Sequence, residues 1–418
     1  MLLVILGAGA SYDSDPARPA STVAAANRPP LASELFANRF LFGQTIDRYP
    51  PVRPLVPRLR AAATDSSVSL EHEFERIASE ARDRIAVRRQ LAAARYYLHD
   101  VVEQSTHQWA LDEAHGVTNH HLLVDRLGEW IDSGAGRVCY LTFNYDTLLE
   151  TACYDSLGMD FSDIGSYVRD DRLRIIKLHG SVNWRRISTN VAASWTGGSR
   201  EDNSRWLLDR FVDIELSGDY EVGDPYEFSH GRLVPVPAIA VPTERKTEAD
   251  FDLPTEHLRI LRDEVLPQVS RVLVIGWKGR ESHWWDLWRG ARPTVARMPV
   301  EVVDANVDTA QTVAATLQRA GIGRCRPGLT DGRLLRIYGA TGLLCPVVMK
   351  APRFQRGGLV SLHRWLASAT ASRAAPCRDG RSGSAFWPCP EPSRRASAPT
   401  CFCRPPRARV WQDTACRD

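Results

Sequence analysis

Three short segments of this chain combine residue types that can do chemistry: Gly7-Ala8-Gly9-Ala10-Ser11, Thr142-Phe143-Asn144-Tyr145-Asp146 and Lys177-Leu178-His179-Gly180-Ser181. Each follows a run of β-type apolar residues. Each is therefore expected where a parallel strand ends, the edge at which open α/β sheets take their ligands. Glycines permit positive φ and let backbone N–H groups approach a phosphate. A side-chain amide offers donors and an acceptor, enough to hold a sugar hydroxyl or orient a water. An imidazole titrates near neutral pH and suits a general base.

Each motif also has a plainer reading. The glycine segment is a defective dinucleotide fingerprint: Tyr12 stands where the third glycine belongs, and a polar stretch follows where a helix is expected. A simple tight turn explains it equally well. Asp146 fits as a cap on the following helix, which leaves Asn144 unexplained. A lone histidine is more often structural; His179 stands out because it closes an apolar strand and Gly180 clears space beside it. His115, His120 and His121 have no third ligand at zinc spacing and are expected on the surface. Trp284, Trp285 and Trp288 read as core packing or a subunit contact, and the charged stretch 71–89 as a solvated face.

The elements that must position these groups alternate between strand and helix. Residues 2–6, Arg137–Thr142, Arg174–Leu178, Arg271–Ile275 and Pro299–Asp304 read as strands. Helices are expected from near Leu31, over about 68–115 (with Leu70, Phe74, Ile77, Ala81 and Ile85 on one face), and over 119–133, 146–157, 255–266, 282–290 and 307–320. Residues 12–30 and 50–57 read as loop and proline-rich break, 188–232 as an irregular insertion, and 233–241, with Pro235 and Pro237, as an edge strand. The alternation predicts an α/β fold, a Rossmann-like doubly wound parallel sheet.

The ordered triple Gly-Ala-Gly-Ala-Ser, Phe-Asn-Tyr-Asp and Leu-His-Gly-Ser resembles the sirtuin superfamily, and more closely the sirtuin-like domains of bacterial anti-phage defence proteins. Pro30–Phe36, Leu178–Trp184, Val241-Pro242 with Lys246, and Leu273–Gly276 support the resemblance, which covers about residues 1–340. It implies an NAD-binding domain in which Gly7, Ala8, Gly9, Ala10 and Ser11 surround the pyrophosphate. Asn144 and Asp146 would hold the nicotinamide ribose or the attacking water. His179 would be the general base, Gly276 would face the phosphates, and Asp304 would bind the adenosine ribose. The four-cysteine zinc module of deacylating sirtuins is absent, and Tyr12-Asp13-Ser14-Asp15 replaces the Gly-Ile-Pro-Asp-Phe-Arg continuation. The resemblance therefore implies NAD hydrolysis by a metal-free defence effector, working as a homo-oligomer or with an activating partner. The alternatives are an NAD-dependent protein deacylase, a non-catalytic NAD or ADP-ribose sensor and, last, a nucleic-acid-associated regulator.

Composition narrows the classes further. The net charge of +3 over 418 residues argues against a dedicated nucleic-acid binder. No apolar run reaches membrane-spanning length, and Met1–Leu6 meets Gly7 without a basic segment, so a cytoplasmic protein opening on a strand is expected. Cys139, Cys153, Cys325 and Cys345 sit in apolar surroundings and read as core residues; Cys401 and Cys403 are too close for a zinc pair, so neither zinc nor disulfides are expected. The expected organisation is a catalytic domain over 1–345 with a helical insertion at 58–133, a helical extension over 346–372, and a disordered tail over 373–418. That tail carries nine Arg, seven Pro and five Cys.

Overall fold

The computed structural model describes residues 1–15, 28–39, 41–64, 70–81, 84–109, 118–241, 252–291 and 295–325. In chain order the strands are β1 (Leu2–Leu6), β2 (Val138–Thr142), β3 (Leu173–Lys177), β4 (Gly180–Ala192), β5 (Leu216–Val222), β6 (Leu233–Ile239), β7 (Arg271–Ile275), β8 (Val295–Val303) and β9 (Ile322–Cys325). The helices are α1 (Ala8–Tyr12), α2 (Phe42–Arg48), α3 (Val56–Thr64), α4 (Leu70–Glu80), α5 (Ile85–Gln108), α6 (Asn119–Asp132), α7 (Leu148–Leu157), α8 (Ser166–Arg169), α9 (Arg200–Asp209), α10 (Thr255–Arg259), α11 (Ser282–Ala291) and α12 (Val307–Arg319).

Among the described residues the larger sheet is wholly parallel, in the order β3-β2-β1-β7-β8-β9. The chain works outward from β1 to β3, then returns to the other side of β1 and continues outward through β9. This is the doubly wound, Rossmann-like order, and its direction reverses between β1 and β7. The registers are flush: Leu6 pairs with Thr142 and with Ile275, and Thr142 pairs with Lys177. Gly7, Phe143, Leu178 and Gly276 therefore leave the sheet at one level. Every residue of β1, β2 and β7 is buried, which is why these strands read as unbroken apolar runs.

A second, antiparallel sheet has the order β5-β4-β6. Its strand β4 begins at Gly180, directly after His179. Gly180 has φ +79°, and a Cβ there would lie 2.0 Å from the Ala238 carbonyl oxygen, so only glycine fits the step between the sheets. Strand β6 is an edge carrying Pro235 and Pro237, as expected. Residues of α3, α4 and α5 and of the 35–55 segment pack on this sheet in a core of their own, with Phe36, Phe74, Tyr97, Val182, Val234 and Ile239 among its members. Helix α6 belongs to the core of the parallel sheet through Leu123, Val124 and Leu127, so the 58–133 stretch is shared between two cores.

Several expectations are corrected. The segment from Leu31 forms only a 3-10 turn at Ala32–Glu34, closed by the Glu34 carboxylate on the Leu31 N–H and on Arg39. The 50–57 break is a 3-10 turn at Pro50–Leu55 that leads into α3. Within the 68–115 stretch the described residues form two helices, α4 and α5, and the Arg84 N–H donates to the Ala81 carbonyl at 3.2 Å; Leu70, Phe74, Ile77 and Ala81 are buried, whereas Ile85 is exposed. Periodicity reports a buried face but not a change of axis. The 188–232 stretch is no irregular insertion: it holds the end of β4, α9 and β5, and β5 escaped notice because it has no buried residue. The 71–89 face is not simply solvated, since Glu73 is buried between Arg58 at 2.7 Å and Arg76 at 2.9 Å. Strand β9 was not anticipated. The expected extension over 346–372 and tail over 373–418 lie outside the described residues, as do Cys345, Cys401, Cys403, His115, Pro242 and Lys246. Among the described residues no helix is long and apolar enough to cross a membrane.

Candidate active site

The glycine segment is tighter than a plain loop. Gly7 ends β1, and the helix α1 starts at Ala8, inside the motif rather than after it. Of the 12–30 stretch expected as a loop, 13–15 and 28–30 are non-helical and 16–27 lie outside the described residues. The turn interlocks with the end of β7. The Gly7 N–H donates to the Ile275 carbonyl at 3.0 Å and the Gly9 N–H to the Gly276 carbonyl at 2.9 Å. A Cβ on Gly7 would meet Trp277 Cα at 2.6 Å, one on Gly9 would meet Gly276 Cα at 2.8 Å, and one on Gly276, at φ +60°, would meet Ala10 N at 2.3 Å. These three glycines are required by one another. Their close approach, not a bound phosphate, accounts for their identity, and the amides of Gly7 and Gly9 are committed to β7.

Asn144 leaves the end of β2 and reaches across to that turn. Its Nδ2 donates to the Gly7 carbonyl and to Ser11 Oγ, both at 2.9 Å. A carbonyl can only accept, so the nitrogen is assigned by its partner. Both amide hydrogens are used. Among the described residues nothing donates to Asn144 Oδ1 and nothing accepts the Ser11 hydroxyl proton. An open acceptor and an open donor thus stand side by side, which suits a hydroxyl-bearing ligand or a water. The backbone of the same loop is sewn to β3 and β4: Leu178 N–H donates to the Thr142 carbonyl at 3.0 Å and Val182 N–H to the Tyr145 carbonyl at 2.9 Å.

His179 lies at the end of β3, buried, with its ring 5.3 Å from Phe143 and 6.0 Å from Tyr145, the two neighbours of Asn144. Phe143 stacks in turn on Trp277 at 5.0 Å and 7°. The glycine turn, the amide loop and the histidine therefore do converge at the switch point. A second histidine, His283 on α11, has its ring 5.9 Å from that of His179 and was not singled out in the sequence, where it is masked by the Trp284, Trp285, Trp288 pattern. Trp284 and Trp288 are buried, as core packing requires.

Asp146 is held rather than offered. Its Oδ1 accepts the Leu148 N–H at 3.1 Å, in a turn one residue ahead of the Thr147 cap of α7 rather than as the cap itself, and its carbonyl accepts from Lys177 Nζ. Lys177 is completely buried and pairs with Glu150 at 2.7 Å. His120 is not on the surface: burial drives its pKa down to about 4 against the opposing pull of Asp146. His121 is also buried, hydrogen-bonded to Thr118 and Asp155. Both were hidden because an apolar period does not count polar residues.

Asp304 follows the end of β8 at the same edge. Its Oδ1 accepts the Asn306 N–H at 2.9 Å. Burial raises its pKa, opposed by that hydrogen bond and by nearby Lys278. Among the described residues, one group of side chains has metal-ligand spacing, His99, Asp100 and Glu103. It lies in the core of the antiparallel sheet and helices, and both Asp100 oxygens are already taken: by Tyr49 at 2.8 Å and Arg48 at 3.0 Å, and by Tyr226 at 3.0 Å and Arg200 at 3.1 Å.

No protein-family model and no curated protein matches this chain. Among solved structures, a Sir2 complex with the inhibitor EX-527, 2'-O-acetyl-ADP-ribose and a deacetylated p53 peptide is similar over 77% of this chain and 95% of its own, at 13% identity and a TM-score of 0.30. Sir2 bound to an acetylated peptide is similar over 77% and 94%, at 14% identity and 0.29. A complex of Sir2 with a p53 peptide and NAD+ gives 77% and 94%, at 13% and 0.31. At these scores the likeness is too loose to carry residue roles across.

Proposed function

We propose that this chain hydrolyses NAD at the bond between nicotinamide and ribose. The observation that carries the reading is the joint placement of Asn144 and His179. The amide is fixed by the glycine turn with its acceptor left open, and the imidazole packs against both neighbours of that amide, at the reversal point of a doubly wound sheet. That crevice is where such sheets take dinucleotides.

In the proposed reaction the bond from the ribose anomeric carbon to the pyridine nitrogen breaks, and its electron pair leaves with nicotinamide. Asn144 Oδ1 and the Ser11 hydroxyl orient a water or ribose hydroxyl. Water oxygen bonds to the anomeric carbon, and its proton passes to His179, giving ADP-ribose. Asp304 would hold the adenosine ribose, and Gly276 with the 7–11 turn would lie along the phosphates. Because the amides of Gly7, Gly9 and Ala10 are committed, contact there falls to Ala8 and the Ser11 side chain. Asp146 acts by fixing the loop. No metal enters this scheme. Depletion of a shared cofactor would suit a cytoplasmic defence effector whose activity is withheld until assembly or an activating partner releases it.

The test is chromatography of NAD incubated with the purified chain. Equimolar nicotinamide and ADP-ribose are expected, and Asn144→Ala and His179→Ala should each cut the formation of both by roughly 10³-fold while the fold persists. Transfer of an acyl group from a lysine peptide would instead favour the deacylase, and tight NAD binding without turnover would favour a sensor.

A further inference from the structure

Lys177, two residues before His179 in the chain, forms a buried pair with Glu150 that nothing in the proposed chemistry uses. Both side chains are buried, in a region where a charge pair gains little over well-packed apolar residues of the same volume. Its partners give it a purpose that apolar residues could not serve. Lys177 Nζ donates to the Asp146 carbonyl as well as to Glu150 Oε1, which is 2.7 Å away. Glu150 stands in the first turn of α7, and its Oε1 also accepts from Tyr167 Oη at 3.3 Å. Tyr167 Oη accepts from Asn183 Nδ2 on β4 at 3.0 Å. Burial first, and Glu150 next, push the Tyr167 pKa well above that of a free phenol, so the hydroxyl stays protonated. The chain of contacts runs from β3, through the 143–147 loop, α7 and Tyr167 of α8, to the strand that starts beside His179.

We propose that Lys177, held by Glu150, is a positioning residue for the site: it fixes the Asp146 carbonyl and thereby the loop that aims Asn144 at the glycine turn. The inference rests on the hydrolase reading for its kinetic consequence but not for its structural one. An ammonium is suited to the task because it can serve the carboxylate and the carbonyl at once, with three donors on one atom.

The decisive variant is the double substitution Lys177→Met with Glu150→Leu in the full chain. It removes both charges together and so avoids stranding one of them. If Lys177 positions the loop, the double variant folds with a thermal midpoint near that of the wild type. Backbone amides of 144–148 then exchange with deuterium faster by at least ~10-fold, and kcat for nicotinamide release falls ~10- to 100-fold at nearly constant KM, as expected when a reacting group is misplaced by about an ångström. Lys177→Arg, which keeps charge and donors, should recover part of kcat. Unchanged exchange over 144–148 overturns the positioning role whatever the activity. A wild-type chain that leaves NAD intact, with exchange accelerated in the variant, overturns the hydrolase reading and leaves the anchor standing.

Discussion

Two clusters of buried polar groups in this molecule look alike in the sequence and differ in their unused valences. Around Asp100, in the core shared by the helices and the antiparallel sheet, two tyrosines and two arginines close on one carboxylate. Burial would raise the Asp100 pKa, but its hydrogen bonds and positive neighbours outweigh that and hold it below the ordinary carboxylate range. At the edge of the parallel sheet, Asn144 is equally well anchored and still keeps its oxygen open. The first cluster is saturated and rigidifies a core. The second is saturated only on the side facing the protein. Metal-ligand spacing alone points to the first.

The comparison can be broken most directly at Asn144. Asn144→Ala should lower the rate of nicotinamide release by roughly 10³-fold, the scale of losing an aligned polar group from an active site, with a far smaller effect on the denaturation midpoint. Asp100→Ala should do the reverse. Arg48 and Arg200 keep Glu201 and Glu103, but the buried Tyr49 and Tyr226 hydroxyls lose their carboxylate, which should cost about 1–3 kcal/mol of stability in denaturant titrations, while NAD turnover per folded molecule is retained. Gly276→Ala tests whether the turn is a packing device. Its Cβ would strike backbone at positive φ, and a loss of about 3 kcal/mol is expected by calorimetry.

Acidification acts on two buried histidines at once. His120 and His257 are buried with pKa values pushed down to about 4, burial being the leading cause in each. The unfolded chain takes up these protons near pH 6.5, before the folded one does. Stability should therefore be full above that value and fall as the pH drops from about 6.5 toward 4, by on the order of 3 kcal/mol per histidine. Urea midpoints at pH 7 and 5 measure it. The smallest expected effect is none: added zinc should leave the thermal midpoint unmoved, because the oxygens of Asp100 are occupied. A rise that Asp100→Ala abolishes would show that the saturated cluster binds metal after all.

Much of the parallel sheet was legible because a strand buried on both faces is apolar throughout, as in Arg271–Ile275, found where the sequence places it. The antiparallel sheet was not, since β5 has no buried residue and alternation fails there. Gly7, Asn144 and His179 were legible as the ends of apolar runs. Their neighbours were harder to see. Lys177 and Glu150 are 27 positions apart and unremarkable until their elements pack, and His283 is hidden in a tryptophan-rich helix. Sequence spacing locates a crevice better than it locates what supports it.

The interlocked glycines have a consequence for how such a molecule can change. Residues 7, 9 and 276 leave no room for even a methyl group, and each is hemmed in by the main chain of another. Natural or laboratory variants that alter ligand preference must therefore arise at the rim, at Tyr12 or Lys278, where a new side chain can be accommodated one substitution at a time. The turn itself could move only if two distant segments of the gene mutated in concert.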